Sequence, residues 1–533
     1  MSRKTTDILD ENTQRTKGAD ALTSNIAAAK AVSDIVKTTL GPMGMDKMLI
    51  DNFGNTTITN DGVKILREME IEHPGAKLLV EVAKTQEAEV GDGTTSAVIL
   101  AGEFLSQAEK LLKQKIHPTN IVRGYKLASI EALKILDRNS TQVNVNDEKI
   151  LREICQTAMT GKVAEYSKDT LSEIIFEAVS LVKDDNGIAK NKIKIQKATG
   201  GDISESSIIK GIVLDKEAAN VNMVSKVEKA KILLIDFALE IKELEADAKV
   251  NINSMSEYED FLQAEQDYLK ALVNKIKSIG ANVVICQKGI DDSVAYYLAK
   301  ENILAIRRTR KSDMEKLSYA LNKNIISIAE DLKVENLGLA NLVHKKEVLG
   351  ENYIFVEGCQ NPKAITLFLK ASTQHILDEI ERAVEDCLGD LNAILKSKKI
   401  VAGGGAIDTQ IYAELAKFSK TFSGKDQIVI NAYAESFLCI PKTLCENSGF
   451  DEIDTITKLI SNHEKGMKNS GINGFTGICE DTQKIGIIEP INVKSQAIKS
   501  ATESASMILR IDDIIAAKKL SETGDSRSGM RDY

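Results

Sequence analysis

A glycine-rich segment at 89–97, Glu-Val-Gly-Asp-Gly-Thr-Thr-Ser-Ala, constrains this chain more than any other feature. Two glycines flank Asp92, two threonines follow, and the apolar run 98–101 then predicts a helix. Glycine lets a backbone approach a ligand without a Cβ in the way, and free N–H groups at a helix start favour phosphate. A carboxylate there would repel phosphate unless a divalent cation lay between them, so Asp92 is predicted to be a magnesium ligand. Alone, the segment is also compatible with an ordinary glycine-rich helix entry.

Three further segments precede this loop. Residues 38–46 close a helical stretch with a Gly-Pro turn, and residues 72–81 lead into the helix before the loop. Residues 57–62 predict a short strand that ends in an Asn-Asp-Gly hairpin turn, in which Asp61 by itself is a turn residue. Together these segments resemble the nucleotide-binding domain of group II chaperonins, the family of the archaeal thermosome and the eukaryotic cytosolic chaperonin, and the thermosome branch in particular.

The resemblance covers nearly the whole chain, because further motifs occur in the family's order. These are residues 286–292, 307–308, 311–317, 401–406, 486–490, 500–505 and 507–513. The resemblance implies a multidomain fold of the α+β and α/β type with three domains. They are a helical equatorial ATP-binding domain (1–146 and 403–533), a small intermediate hinge domain (147–215 and 368–402) and an α/β apical substrate-binding domain (216–367) with a helical lid protrusion at about 245–278.

The pattern of the central region agrees with a sheet domain. Short apolar runs at 232–235, 283–286 and 303–306 alternate with helical stretches, which is the rhythm of an α/β fold. Between the first two runs, apolar residues at helical spacing predict one long amphipathic helix; they are Tyr258, Phe261, Leu262, Leu269, Leu272, Val273, Ile276 and Ile279. A core-facing helix explains its C-terminal half. For its N-terminal half, the resemblance implies exposed apolar groups at the tip of a lid.

Composition limits the partners of this chain. The 533 residues carry a net charge of −9, and aromatic residues make up 4%, so binding to nucleic acid is not expected. The lysine-rich segment 190–197 predicts a solvated strand or loop. No apolar run reaches the ~20 residues of a membrane span, and the first residues lack a signal-peptide core. Seven scattered cysteines predict free, mostly buried thiols in a reducing compartment, so a cytoplasmic location is expected.

The chain contains no Gly-x-x-x-x-Gly-Lys-[Ser/Thr] loop, so it is not a P-loop enzyme. The resemblance instead implies ATP and Mg²⁺ as cofactors, with Asp92 as the metal ligand and Asp61 and Asp386 as the catalytic acids. From the residues alone, Asp386 is one of several acids on a charged helix. The residues implied to bind the nucleotide are Leu40, Gly41, Pro42, Gly93, Thr94, Thr95, Ser96, Gly161, Lys162, Gly404, Gly474, Phe475, Glu489 and Lys494. A solvent-exposed lysine after a glycine turn is the competing interpretation of Lys162.

The resemblance implies an ATP-hydrolysing chaperone subunit. Such a subunit assembles with other chaperonin subunits into a double ring, binds unfolded or partly folded polypeptide and closes a built-in lid. One alternative is an ATP-binding structural ring subunit with little hydrolysis of its own, although the three acids Asp61, Asp92 and Asp386 favour hydrolysis. A small-molecule kinase is a second alternative, but a kinase function does not explain the presence of the central domain. Whether the ring contains one kind of subunit or several is open at this stage.

Overall fold

The computed structural model describes residues 14–145, 147–184, 187–241, 255–348, 350–359 and 363–516. The chain forms two compact units, one from residues up to Thr141 together with those from Ile400 onward, the other from Gln142–Lys399. The finer division into equatorial, intermediate and apical domains stays a prediction. Residues 245–254 of the predicted lid and the polar tail 521–533 lie outside the described residues.

The helices and strands are numbered in chain order. The α-helices are α1 (Gly18–Lys37), α2 (Gly62–Glu68), α3 (Pro74–Glu89), α4 (Thr94–Lys113), α5 (Pro118–Arg138), α6 (Glu148–Met159), α7 (Lys168–Val182), α8 (Met255–Ser278), α9 (Asp292–Lys300), α10 (Lys311–Leu321), α11 (Gln374–Ser397), α12 (Ala406–Ser419), α13 (Lys425–Ser436), α14 (Cys439–Ser448), α15 (Glu452–Glu464) and α16 (Ile491–Leu509). The strands are β1 (Gln14–Lys17), β2 (Lys47–Ile50), β3 (Thr56–Thr59), β4 (Thr141–Gln142), β5 (Lys183–Asp184), β6 (Gly187–Ile188), β7 (Ile193–Thr199), β8 (Ser207–Ile209), β9 (Gly211–Leu214), β10 (Lys226–Ile235), β11 (Val283–Cys286), β12 (Leu304–Ile306), β13 (Gly338–Val348), β14 (Glu351–Cys359), β15 (Ile365–Ala371), β16 (Lys399–Ala402), β17 (Ser470–Ile472), β18 (Cys479–Asp481), β19 (Ile488–Pro490) and β20 (Asp513–Ala516).

The first unit is a helical body whose core joins both ends of the chain. Phe104 of α4 stacks on Tyr433 of α13 with ring centroids 4.3 Å apart, and Tyr125 of α5 packs beside them. The buried phenol of Tyr125 donates to the Phe104 carbonyl at 2.6 Å, and that of Tyr433 pairs with the Thr502 hydroxyl of α16 at 2.7 Å. The polar tips of the two tyrosines are therefore satisfied inside an apolar core.

Two pairs of strands extend from this helical body. β1 pairs with β20 in antiparallel register from Gln14–Ala516 to Lys17–Asp513, so the described N- and C-terminal strands lie side by side. β2 and β3 form a hairpin whose turn lies at 51–55, where the Asp51 carboxylate accepts the backbone N–H groups of Phe53 and Asn55. The predicted hairpin turn at 60–62 is therefore wrong. Gly62 instead begins α2, because the Asp61 carboxylate accepts the Val63 and Lys64 N–H groups and caps that helix.

The second unit contains a six-stranded sheet in the order β12-β11-β10-β13-β14-β9. The three apolar runs predicted to be strands lie on its parallel part, where Ile235 is paired with Cys286 and Val283 with Leu304. Their side chains are fully buried because helices pack against the sheet, which explains their unbroken apolar character. The predicted α/β architecture of this region is confirmed.

Helix α8 confirms the predicted amphipathic helix and its change of character along its length. Leu269 and Ile276, in its C-terminal half, are buried in the core of the six-stranded sheet. Phe261 and Leu262, in its N-terminal half, are 37% and 40% exposed. Exposed apolar side chains on a helix are available to a partner, whereas the C-terminal half holds the helix on the sheet.

A smaller sheet in the same unit has the order β7-β15-β8. The lysine-rich segment does form a strand, β7, but the expectation that it is solvated is wrong for Lys194. The Lys194 ammonium is buried and lies 2.7 Å from the Asp313 carboxylate of α10. Burial lowers the pKa of the Lys194 ammonium, and Asp313 opposes that effect.

The structure bears on the predictions for the cysteines and for membrane-spanning helices. All seven cysteines are free thiols, six of them buried and Cys479 half-buried, as predicted. Within the described residues, none of the helices is both long enough and apolar enough to cross a membrane.

The two halves of α8 differ in their expected effect on stability. Ile276→Ala should lower the free energy of unfolding by about 2–5 kcal/mol, because it removes a fully buried side chain from the core. Leu262→Ala, the matched control on the same helix, should change it by less than about 0.5 kcal/mol. Urea unfolding followed by circular dichroism measures both. An equal loss for the two variants would place Leu262 in a core.

Candidate functional site

The loop between α3 and α4 opens a helix in the way its sequence predicts. Gly91 and Gly93 have φ angles of +100° and +76°, a region that other residues rarely adopt. Gly93 is the N-cap of α4 and offers no side-chain oxygen to the first turn, so Thr94, Thr95 and Ser96 begin the helix without a side-chain cap. The first amides of a helix point outward and carry the positive end of its dipole, which suits phosphate.

The turn at Leu40-Gly41-Pro42 is held from two sides. Gly41 has a φ of +88°, and a Cβ there would lie 2.5 Å from the Leu444 side chain of α14. The Asn447 amide, also on α14, donates to the carbonyls of Lys37 and Leu40 at 3.0 and 2.7 Å. α1 ends at Lys37, and these bonds hold the turn that follows it, with Leu40, against α14.

Gly474 brings a distant loop against the same turn. A Cβ on Gly474 would lie 2.3 Å from Pro42, so glycine permits the contact. Phe475 follows with its side chain 48% exposed and its N–H bonded to the Asn473 side chain. An exposed aromatic ring beside this turn is free to contact a flat ligand group.

A second glycine turn opens α12. Gly404 and Gly405 have φ angles of +63° and +74°, and Gly405 is the N-cap of the helix without a side-chain bond. The Gly404 carbonyl accepts the Ile472 N–H at 2.8 Å, and a Cβ on Gly404 would lie 2.7 Å from the Ile472 carbonyl. The backbone of this turn is therefore packed against β17 and has no room for a side chain.

Asp61 connects two helix starts. Its carboxylate caps α2 and also accepts the Thr94 hydroxyl of α4 at 3.4 Å. A Cβ on Gly62 would lie 2.7 Å from the Thr95 hydroxyl, so the N-termini of α2 and α4 are in close contact. The structure therefore brings predicted site residues 61 and 94–95 together.

Lys494, Asp408 and Glu489 form a charge cluster in the first unit, in which Lys494 and Asp408 are buried and Glu489 is partly exposed. The Lys494 ammonium lies 3.0 Å from the Asp408 carboxylate and 3.6 Å from that of Glu489. Burial opposes the charge of Lys494, but the two carboxylates outweigh it, so its pKa lies above the usual value. Burial also raises the pKa of Glu489; Lys494 opposes this, and the charges of Asp408 and Asp92 add to it. Asp92 thus lies close enough to Glu489 to act on it electrostatically.

The remaining predicted residues lie in the second unit. Asp386, on α11, accepts the Lys162 ammonium at 2.5 Å, and the two side chains are 22% and 20% exposed. Gly161 has a φ of +79° and donates its N–H to the Glu165 carboxylate. The structure therefore pairs the predicted acid with the predicted lysine.

Three polar side chains support these loops and were missed by the sequence analysis: Gln86 and Asp408, which are buried, and Asn447, which is half-buried. Gln86 could have been found, because it continues the buried face of α3 that includes Leu79 and Ala83. A polar residue on an apolar face is normally buried with a partner. Asp408 and Asn447 have no comparable local signal, since their partners are distant in sequence.

Comparison with known proteins identifies the family. The model of the TCP-1/cpn60 chaperonin family matches residues 32–519. A thermosome subunit of Pyrococcus abyssi is 49% identical over 98% of this chain and 96% of its own length. A thermosome subunit of Methanopyrus kandleri is 48% identical over 97% and 95%, and a thermosome subunit beta of Thermococcus kodakarensis is 48% identical over 99% and 97%. The chain therefore belongs to the TCP-1/cpn60 chaperonin family, as a group II chaperonin of the archaeal thermosome type.

Proposed function

We propose that this protein is an ATP-hydrolysing chaperonin subunit that forms a double-ring chamber, binds unfolded polypeptide and closes a built-in lid. The observation that carries the proposal is the contact between the N-termini of α2 and α4. There Asp61 contacts Thr94 beside the glycine loop that holds Asp92. Near 50% identity to thermosome subunits over almost the whole chain supports the same function.

The described residues fit a magnesium nucleotide. The uncapped first turns of α4 and α12 offer backbone N–H groups, and the glycines at each turn let the backbone pack closely against neighbouring residues. Magnesium is usually held by one or two carboxylates together with phosphate oxygens, and Asp92 supplies such a carboxylate. When bound, the metal neutralises phosphate charge. The turn 40–42 and the 93–96 loop would hold the phosphates. The base and ribose would be held by Gly404, Gly474, Phe475 and Glu489.

Lys494 acts through its neighbours in this proposal. Its ammonium is buried and already bonded to Asp408, so its predicted contact with the nucleotide becomes an indirect one. By drawing the Glu489 carboxylate toward itself, Lys494 orients that carboxylate at the start of α16.

The acids divide the chemistry between them. Both oxygens of Asp61 accept N–H groups, which keeps its carboxylate in one orientation to order a water beside the terminal phosphate. Asp386 takes the proton of that water as general base. Lys162 reaches the terminal phosphate as a point charge, and doing so releases Asp386 from the ion pair. Because Asp386 belongs to the predicted intermediate domain (147–215 and 368–402), hydrolysis is coupled to a conformational step.

The partners follow from the exposed apolar surfaces. The tip of α8, with Phe261 and Leu262, is the lid contact and a surface for unfolded polypeptide. On the β2–β3 hairpin the side chains of Ile50 and Phe53 are 69% and 91% exposed. Large apolar side chains exposed together on a folded protein mark a contact with a partner. A two-stranded hairpin with open edges is suited to pairing with strands of another copy, so we assign it to the contact between subunits.

A structural ring subunit with little hydrolysis is the second candidate. It would bind nucleotide through the same loops and differ only in turnover. Phosphate release by the purified ring decides between the two functions, and mass measurement of rings formed by this chain alone decides whether one kind of subunit suffices. A kinase would transfer phosphate to an added metabolite instead of water.

The charge cluster of Lys494, Asp408 and Glu489 leads to a prediction about stability. Lys494→Met should lower the free energy of unfolding by about 3–5 kcal/mol, because Asp408 would be left as a buried acid without a cation, next to the partly exposed Glu489. Arg123→Met, which breaks the exposed pair with Asp426, is the control and should have little effect. Urea unfolding measures both. If Asp408→Asn in the Lys494→Met background restored no stability, the loss would not come from the unpaired charge.

The second prediction tests the catalytic acid. Asp386→Ala should bind magnesium-ATP nearly normally but release phosphate about 10²–10⁴-fold more slowly, since a positioned base is lost. Asp378→Ala is the matched control, because Asp378 lies on the same helix and is also paired with a lysine, Lys197. Asp92→Ala should instead weaken nucleotide binding. Calorimetry and steady-state phosphate release measure these effects, and normal turnover in Asp386→Ala would place the base elsewhere.

The third prediction concerns assembly. The double variant Ile50→Ser/Phe53→Ser should fold but form few double rings, because both side chains are exposed on the hairpin. Ile453→Ser removes a comparably exposed apolar side chain from α15, 78% exposed, and should assemble normally. Negative-stain microscopy counts the rings. Intact double rings in the hairpin variant would remove this hairpin from the subunit contact.

A further inference from the structure

Gln86 is a polar residue inside the helical core, next to the glycine loop. It lies near the end of α3 with no exposed surface. Its side-chain NH₂ group donates to the Asp92 carbonyl at 2.9 Å and to the Val493 carbonyl at 3.1 Å. One amide therefore joins three parts of the first unit: α3, the loop that holds the predicted metal ligand, and the start of α16.

The orientation of this amide follows from its partners. Both neighbours are carbonyl oxygens, which accept hydrogen bonds, so the nitrogen of the amide must face them. The backbone carbonyl of Gln86 in turn accepts the N–H groups of Val90 and Gly91 at 3.0 and 3.3 Å. Gln86 thus holds the beginning of the loop with its main chain and the end of the loop with its side chain.

Gly93 completes the contact. A Cβ there would lie 2.5 Å from a methyl group of Val493 and 3.2 Å from the Gln86 nitrogen. The loop is therefore packed directly against the two groups that hold it. The carbonyl and the carboxylate of Asp92 extend from the same Cα, so the bond that holds the carbonyl restricts the backbone from which the carboxylate projects.

We infer that Gln86 is a positioning residue for Asp92 and sets the affinity of this site for its divalent cation without being a ligand itself. The inference rests on the proposed function, in which Asp92 holds magnesium. Residues that orient metal ligands in this way typically change metal affinity 10–100-fold when they are replaced. A residue that only fills the core would instead change stability and leave the cation dependence of binding unaltered.

The test compares ADP binding with and without Mg²⁺ by calorimetry, in the assembled wild-type protein and in Gln86→Met. Methionine keeps the length of the side chain and removes the donor. We expect the gain in ADP affinity on adding Mg²⁺ to fall by about 10–100-fold, with a smaller change in metal-free ADP affinity. Gln107→Met is the matched control: Gln107 is also buried in the first unit, but its amide is bonded to Glu103 of its own helix.

Gln86→Glu gives an independent measurement. Its carboxylate would face two carbonyl oxygens and has no N–H group to donate to them. The Mg²⁺-dependent gain at pH 8 should therefore fall by at least as much as in Gln86→Met. Mn²⁺ binding in the presence of ADP, followed by electron paramagnetic resonance, should be weakened in parallel.

The outcomes separate this inference from the proposed function. Wild-type protein that binds ADP no better with Mg²⁺ than without it would overturn the proposed function itself. Folded Gln86→Met with a wild-type Mg²⁺ gain would overturn the role of Gln86 alone. Loss of folding in both Gln86 variants, with Gln107→Met folded, would also overturn it, because Gln86 would then support the core and not the loop.

Discussion

The packing of α16 against α3 and α4 is the contact on which the candidate site depends. α16 comes from the far end of the chain, and small residues such as Ala97 and Ala497 let it approach the other helices closely. The contact brings Val493 against Gly93, and it brings the Gln86 amide between two carbonyls. Without it, the glycine loop would have no support on one side. A site built from both ends of the chain thus forms only when the first unit is complete.

Buried charge recurs in both units in the same physical form. Lys494 is paired with Asp408 in the first unit, and Lys194 with Asp313 in the second. A buried ion is costly unless it is paired, so each of these lysines requires its acid in place. The pair of Lys162 and Asp386 differs, because both side chains remain partly exposed. Partial exposure lets that pair open at a lower cost, which the catalytic role proposed for Asp386 requires.

Exposed apolar residues are concentrated on two elements. The tip of α8 and the β2–β3 hairpin show apolar side chains to solvent at the ends of well-packed elements. The two strands of the hairpin are hydrogen-bonded to each other. The C-terminal half of α8 is buried in the core of the six-stranded sheet. Such surfaces are stable in the subunit and remain available to partners, which suits a protein that assembles and binds other chains.

The sequence by itself determined the elements whose signal is local. The glycine loop at 91–93 and the apolar strands 232–235 and 283–286 were predictable because φ preference, capping and apolar periodicity act over a few residues. The amphipathic helix α8 was predictable in the same way, whereas the exposure of its N-terminal half was expected from the family resemblance. The site residues were named from a family resemblance, and their roles stay predictions.

The tertiary structure decided what depends on distant partners. Asp61 caps a helix and does not turn a hairpin, because the Val63 and Lys64 N–H groups and the Thr94 hydroxyl converge on its carboxylate. Lys194 is buried although its segment is lysine-rich, because Asp313 of α10 lies beside it. Gln86 supports the glycine loop through Val493, which is 407 residues away, and Asp408 is bonded to Lys494, which is 86 residues away. Burial and pairing are properties of the folded core, so no local pattern determines them.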